Sequence, residues 1–113
     1  VLTCVDARMG EVYGAVHGSH EGLMELRGAE RLGPPEEVEP PASGAWHAAG
    51  SGWERYAEVL APLAQQAAGV DTGLYPRARD LLPQAAADLR AGRLLEPERA
   101  LPVYLRSENA WQR

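Results

Sequence analysis

The first seventeen residues carry the clearest pattern of apolar and polar positions in the chain. Two apolar runs, residues 1–5 and 12–17, flank a polar turn, and the second run alternates with the period of two that is typical of a strand. The connection at residues 7–10 ends in Gly10, which suits the positive-φ position of a short hairpin loop. The pattern therefore predicts a β-hairpin that places Asp6, Arg8 and Glu11 at one end of a sheet. From these residues alone, a solvated turn is favoured over a ligand site.

Further strand and turn signals follow this hairpin. A polar cluster at residues 18–22 predicts a second turn, and residues 23–27 predict a third strand, so the first three strands form an antiparallel meander. Proline pairs at both ends of residues 33–41 leave room for at most one helical turn, so this stretch is predicted to be a surface connector. The apolar run 45–49 then predicts a strand that ends in the turn Gly50-Ser51-Gly52.

Two helices are predicted after that turn. The first begins at Trp53 and ends near Gly69, and Pro62 should kink or split it. Its apolar residues recur at steps of three and four, which places them on one buried face: Trp53, Tyr56, Val59, Leu60, Leu63, Ala64 and Ala67. The second helix spans residues 76–91 and ends before Gly92, and Pro83 raises the same expectation of a kink. Its predicted inward residues are Ala78, Leu81, Leu82, Ala85 and Leu89.

The last twenty residues predict little regular structure. Residues 94–101 are an acidic, proline-punctuated loop, and residues 102–106 are a short strand or extended segment. In that segment Val103 and Leu105 share one face and Tyr104 and Arg106 the other, so one pair should pack on the domain. Residues 107–113 are expected to be loosely held, although Trp111 needs cover. The whole order predicts one small α/β domain over residues 1–113.

Composition narrows the classes of function. The chain of 113 residues carries a net charge of −5, and its eleven basic residues, all arginine, are scattered, so strong direct nucleic-acid binding is not expected. A single cysteine allows no internal disulfide, and a reducing cytoplasm is the simplest setting. No apolar run is long enough to span a membrane. The chain starts without methionine inside a strand-like run, from which we expect a preceding N-terminal part.

Three local motifs could carry chemistry. The turn Gly50-Ser51-Gly52 precedes a helix and could bind an anion, but it lacks the lysine and third glycine of phosphate-binding fingerprints, so a tight strand-to-helix turn is favoured. His17 and His20 lack further ligands at metal spacing and are interpreted as exposed histidines rather than a zinc site. Ser19, His20 and Glu21 resemble a nucleophile set only in composition, because sequence neighbours rarely align as a triad.

Four ordered motifs indicate a family. DARMGEVY at residues 6–13, GSGW at 50–53, YPRARDLLPQAA at 75–86 and PVYLR at 102–106, with a trailing AW at 110–111, resemble the bacterial tRNA threonylcarbamoyladenosine biosynthesis proteins of the glycoprotease-like TsaB (YeaZ) family. The motif positions taken as site residues are Asp6, Arg8, Glu11, Tyr13, Gly50, Gly52, Tyr75, Pro76, Pro102, Tyr104, Leu105 and Arg106. The similarity is to the C-terminal half of such a protein.

This resemblance implies a fold and a role. It implies the C-terminal half of an actin-like (ribonuclease-H-like) fold, with an antiparallel meander, a further strand and helices, whose N-terminal half is absent. It also implies a scaffold without catalytic residues, metal or cofactor, which pairs with the catalytic paralogue TsaD and the ATPase TsaE mainly through that other half. A homodimer is a further possibility. In this fold the first hairpin usually cradles phosphate with an acidic residue followed by glycine, whereas here Ala7 and Arg8 follow Asp6, which indicates a degenerate site.

Two other functions stay open from the sequence. One is a glycoprotease-like metallopeptidase, although the metal-ligand histidine pair of the catalytic paralogue has no counterpart in the chain. The other is a generic homo-oligomerising interaction domain. Binding to the catalytic paralogue would discriminate the scaffold from this last alternative.

Overall fold

The structure is a computed structural model that describes residues 1–106. Its contacts divide the chain into two compact units, one of residues 1–75 and one that begins at Pro76. The first unit contains all the strands found in the described residues, together with two short helices. The second unit contains one helix and two single turns of 3-10 helix.

A five-stranded mixed sheet forms the first unit. Its strands are β1 (Leu2–Asp6), β2 (Val12–His20), β3 (Leu23–Gly33), β4 (His47–Ala49) and β5 (Gly69–Asp71), arranged in the order β3-β2-β1-β4-β5. β2 pairs antiparallel with both β1 and β3, whereas β1 with β4 and β4 with β5 pair in parallel. The predicted hairpin and the antiparallel meander are confirmed.

The second hairpin turn is tighter than the sequence predicted. Only Glu21 and Gly22 connect β2 to β3, with φ of 52° and 80°, so both strands run up to a two-residue turn. Positive φ at both central residues matches the handedness of strand twist and therefore permits a long, regular ladder. β2 therefore runs to His20, and β3 extends to Gly33, six residues beyond the predicted end at residue 27. A bulge interrupts its pairing opposite Ala15.

β5 was not predicted. It has three residues, begins at Gly69, and pairs with β4 in the register Ala48 to Val70. Gly69 was interpreted as the end of a helix, and a run this short carries no period that could identify a strand. The neighbouring strand β4 supplies the hydrogen bonds that hold β5 in place.

The predicted first helix is split at a different residue from the one expected. α1 (Gly52–Arg55) and α2 (Ala57–Ala64) are separated at Tyr56, which has φ −118° and ψ 40°, while Pro62 lies inside α2. The inward-facing positions of α2 therefore do not continue the spacing of those in α1. Leu60 is buried, whereas Val59, predicted to lie inward, is 40% exposed. Of the other predicted inward residues, Trp53 is buried and Tyr56, Leu63, Ala64 and Ala67 are partly buried against the core.

The core lies between one face of the sheet and these two helices. It consists of Leu2, Cys4, Val12, Trp46, Ala48, Trp53 and Leu60. The rings of Trp46 and Trp53 are packed with their centroids 6.1 Å apart and their planes tilted by 39°. Alternate residues of β1 and β2 supply the sheet side of the core, as the period of two predicted.

The second unit exposes the residues that were predicted to be inward. It contains a 3-10 turn (Ala78–Leu81), α3 (Leu82–Arg90) and a 3-10 turn (Pro97–Arg99). Pro83 lies in the first turn of α3, where its missing N–H is tolerated, so no kink results. Residues 76–106 form no strand, so α3 has no sheet in its own unit to cover. The predicted inward residues are all exposed: Ala78, Leu81, Leu82, Ala85 and Leu89.

Residues 102–106 form neither a helix nor a strand. Val103 and Tyr104 are 76% and 75% exposed and Leu105 is 37% exposed, so the expectation that one pair packs is wrong for these residues. The predicted tail at residues 107–113, with Ala110 and Trp111, lies outside the described residues.

Candidate functional site

Two loops meet at the carboxyl end of β1. The hairpin loop, residues 7–10, connects β1 to β2, and the glycine turn, residues 50–52, connects β4 to α1. Because β1 and β4 are parallel neighbours, their carboxyl ends lie at the same edge of the sheet. In open α/β sheets this edge is where ligands commonly bind. The structure thus brings together five of the predicted site residues: Asp6, Arg8, Glu11, Gly50 and Gly52.

The hairpin loop is closed by its own hydrogen bonds. The N–H of Ala7 donates to the carbonyl of Glu11 at 2.9 Å, and the N–H of Glu11 donates to the carbonyl of Arg8 at 3.1 Å. The N–H of Arg8 donates to Oδ1 of Asp6 at 3.0 Å. Arg8, Met9 and Gly10 all have positive φ, so the predicted left-handed position at Gly10 is confirmed and two residues precede it in the same conformation. Asp6 therefore acts as a loop-forming residue.

The glycine turn packs directly on the backbone of β1. A Cβ on Gly52 would lie 2.7 Å from Sγ of Cys4, and one on Gly50 would overlap the carbonyl oxygen of Cys4. Ser51 links the two loops, because its Oγ accepts a hydrogen bond from the N–H of Asp6 at 3.0 Å. The glycines are thus required for close approach of two backbone segments. The interpretation as a tight strand-to-helix turn accounts for all these contacts.

Backbone N–H groups at this edge donate hydrogen bonds to acceptors within the chain. A phosphate cradle needs several N–H groups that converge on open space. Here the N–H groups of Asp6, Ala7, Arg8 and Glu11 each donate to an acceptor of the two loops. The N–H of Gly50 donates to the carbonyl of Asp71 at 3.0 Å, which ties the glycine turn to β5. The arrangement holds the edge together and offers no such cradle from these five donors.

The Cys4 thiol lies beneath the glycine turn and is fully buried. Burial raises its pKa to about 11, because the thiolate would be desolvated there. Since the thiolate is the nucleophilic form, Cys4 is a protonated packing residue at neutral pH.

The two histidines differ in environment. His17 lies on β2 and is half-buried, contrary to the expectation that it is exposed, and its Nδ1 is buried without a hydrogen-bond partner in the part of the chain that the structure describes. His20 is exposed, with Nε2 3.8 Å from Oε1 of Glu21. Among residues 1–106 no three His, Cys, Asp or Glu side chains are grouped to hold a metal ion.

The other predicted site residues do not belong to these two loops. Tyr13 lies on β2 opposite Val5, on the sheet face that does not carry Cys4. Tyr75 is exposed at the end of the first unit, and the second unit contains the rest: Pro76, Pro102, Tyr104, Leu105 and Arg106. Sequence reasoning missed Ser51 as the residue that joins the loops. Its position just before a helix was the available signal, but that signal predicts a cap on the helix rather than a bond to Asp6.

The chain is similar in sequence and in structure to known proteins. It is 34% identical, over its whole length, to the tRNA threonylcarbamoyladenosine biosynthesis protein TsaB of Escherichia coli strain K12. A Pseudomonas aeruginosa protein described as similar to the peptidase YEAZ has a solved structure that matches 93% of the chain with 41% identity and a TM-score of 0.80. The predicted resemblance to the TsaB/YeaZ family is confirmed. No family model matches the chain.

The TsaB/YeaZ relatives are about twice as long as this chain. The chain spans 50% of the Escherichia coli TsaB and 48% of the Pseudomonas aeruginosa protein. A second solved structure, YeaZ from Pseudomonas aeruginosa, matches 92% of the chain with 40% identity, a TM-score of 0.80 and 48% of its own length covered. The mixed five-stranded sheet with helices matches these YeaZ structures, which confirms the predicted actin-like, ribonuclease-H-like α/β fold class. None of the helices in residues 1–106 has the length and apolar character needed to cross a membrane.

Proposed function

We propose that this chain is the C-terminal part of a non-catalytic scaffold for tRNA threonylcarbamoyladenosine biosynthesis in the cytoplasm. The observation that carries the proposal is the match of the whole chain to half of a protein named for that pathway. The motifs DARMGEVY, GSGW and PVYLR lie on both units, so the similarity is not confined to one loop. In this role the chain would act with a TsaD-like catalytic paralogue and a TsaE-like ATPase.

The lack of catalytic function is supported by the edge of the sheet. In the loops that would hold a nucleotide in an active member of this fold, one N–H donates from Asp6 to Ser51 across the two loops, and the N–H groups of residues 7, 8 and 11 donate within the hairpin. The Cβ of Ala7 also stands where glycine would let a phosphate approach the backbone. We infer that the two loops serve to rigidify the domain.

The role in tRNA modification can be tested with a chimera. We expect a protein in which this chain replaces the corresponding half of Escherichia coli TsaB to restore threonylcarbamoyladenosine in cells depleted of TsaB. The chain alone should not restore it, because the surface that pairs with the catalytic paralogue is proposed to lie in the other half. The modified nucleoside is measured by mass spectrometry of digested tRNA.

Two controls make this test decisive. Full-length Escherichia coli TsaB defines complete restoration, and the Escherichia coli half without this chain defines the background. A chimera that is folded and soluble in the cells but yields only background levels would overturn the proposed pathway. Restoration by the chain alone would instead overturn the assignment of the partner surface to the other half.

The absence of a nucleotide site is tested by calorimetry with ATP and magnesium. We expect no stoichiometric binding to the chain, because five backbone N–H groups at this edge already donate to acceptors within the chain. A complex of micromolar affinity or better would contradict the non-catalytic assignment. The metallopeptidase alternative would require a metal centre that lies outside residues 1–106. The homo-oligomerising alternative predicts that the chimera does not change the level of threonylcarbamoyladenosine in tRNA.

A further inference from the structure

A groove of about 750 Å³ lies in the first unit between the strands β2 and β3 and the connector at residues 33–42. Its floor is the sheet face that carries Leu2, Val12, Gly14 and Val16, which share one side because they are paired and alternate along β1 and β2. Leu2 and Val12 also belong to the core. Because Leu2 and Val12 are each only 2% exposed, the accessible part of the floor is formed by the partly exposed Gly14 and Val16.

The groove is open because the connection from β3 to β4 contains no α-helix. β3 and β4 run in the same direction, since β2 is antiparallel to β3 and β1, and β1 is parallel to β4. Parallel strands are usually joined by a helix that covers the sheet between them. Here the connection has prolines at positions 34, 35, 40 and 41 and forms only the 3-10 turn Pro35–Glu37. The face over β2 and β3 thus lacks the helix that would ordinarily cover it.

The two sides of the groove carry opposite charges. Arg27 and Arg31 project from β3, and Glu37 and Glu39 lie on the connector. Among residues 1–106 none of these four side chains forms a hydrogen bond or an ion pair within the chain. An apolar floor with one cationic and one anionic side complements a segment that has an apolar stripe between an acidic flank and a basic flank.

We propose that this groove binds an amphipathic α-helix of a partner protein, with its apolar stripe on the floor, its acidic flank toward Arg27 and Arg31, and its basic flank toward Glu37 and Glu39. The length of β3 that lines the groove, residues 27–33, spans about 20 Å, which corresponds to about 13 residues of helix. Gly14, Gly28 and Ala29 leave room for large side chains of the occupant. The anionic side disfavours nucleic acid as the occupant. This inference does not depend on the proposed function.

The test uses the full chain and a synthetic probe. The probe is a fluorescein-labelled peptide of fourteen residues, stapled into a helix, with leucines on one stripe, glutamates on one flank and arginines on the other. Fluorescence polarisation is expected to show micromolar binding to the unchanged chain. The double variant Arg27→Glu/Arg31→Glu should weaken binding about tenfold or more, because both sides of the groove are then anionic.

Compensation and a matched control separate docking from non-specific attraction. A second peptide with arginines on both flanks should bind the double variant better than it binds the unchanged chain. The control Arg79→Glu/Arg90→Glu makes the same change in net charge at exposed residues of the second unit and should leave binding of the first peptide unchanged. Equal loss in both double variants would overturn the proposal.

A third variant addresses the floor. A Cβ on Gly14 would meet only the carbonyl oxygen of Thr3, at 3.9 Å, so Gly14→Leu can be accommodated at its Cβ and fills the groove with the rest of the side chain. It should abolish peptide binding while the far-UV circular dichroism spectrum is retained. No binding of the first peptide to the unchanged chain at millimolar concentration would overturn the proposal. A dimer, seen by light scattering, that Gly14→Leu dissociates would also overturn it, because the occupant would then be a second copy.

Discussion

Replacing Trp53 by alanine is expected to reduce the free energy of unfolding by about 3–5 kcal/mol, because removal of this large side chain would leave a cavity in the core. Trp53 is 3% exposed and contacts Trp46, so its ring joins α1 to the chain that enters β4. The change is a large share of the about 5–15 kcal/mol typical of small proteins. Urea unfolding followed by far-UV circular dichroism measures it without dependence on tryptophan fluorescence.

Two further variants show whether burial is the cause. Val59→Ala removes apolar volume from the same helical region at a residue that is 40% exposed, and it should change stability by less than about 1 kcal/mol. Trp53→Phe keeps an aromatic ring and removes the indole N–H, which is buried without a partner in the described part of the chain. Phenylalanine should therefore recover most of the loss. Equal losses for Trp53→Ala and Val59→Ala would contradict the position of the core.

The parts of the fold that were predicted correctly depend on short-range signals. The hairpin predicted for residues 1–17, which the structure extends to His20, was evident because alternation and a glycine turn act within a few residues of one another. The connector was also evident, because its prolines leave room for no more than one helical turn regardless of what surrounds it. β5 was not evident from the sequence, since its three residues adopt a strand conformation only because β4 lies beside them. The break at Tyr56 likewise reflects packing, because no proline or glycine marks it.

The candidate site, too, could be predicted only in part. The sequence identified Asp6 and the glycine turn as separate motifs, since each has a local signature. It could not show that Ser51 accepts a hydrogen bond from the N–H of Asp6, because forty-five residues separate them and only the parallel pairing of β1 and β4 brings them together. The groove could not be predicted from the sequence, for a related reason. Its charged sides come from residues about ten apart whose side chains converge only after the connector folds over the sheet.

Replacing Gly50 by alanine is expected to destabilise the first unit by about 2–5 kcal/mol, from backbone strain and overpacking together. Gly50 has φ of 117°, a conformation that residues with a Cβ rarely adopt, and its Cβ would overlap the Cys4 carbonyl oxygen. Neither partner can move cheaply. Cys4 is held in the ladder between β1 and β2, and the N–H of Gly50 donates to the carbonyl of Asp71 in β5. The shift of the urea midpoint measures the loss.

Gly10→Ala is the matched control, because Gly10 also has positive φ, at 76°, but a Cβ there would meet nothing within 4 Å. It should cost only about 1–2 kcal/mol, the penalty of the left-handed conformation alone. The difference between the two variants therefore isolates the close approach of the glycine turn to β1. If the two losses were equal, the contact between Gly50 and Cys4 would carry no energetic weight, and the glycine turn would be an ordinary loop rather than the element that anchors Ser51 beside Asp6.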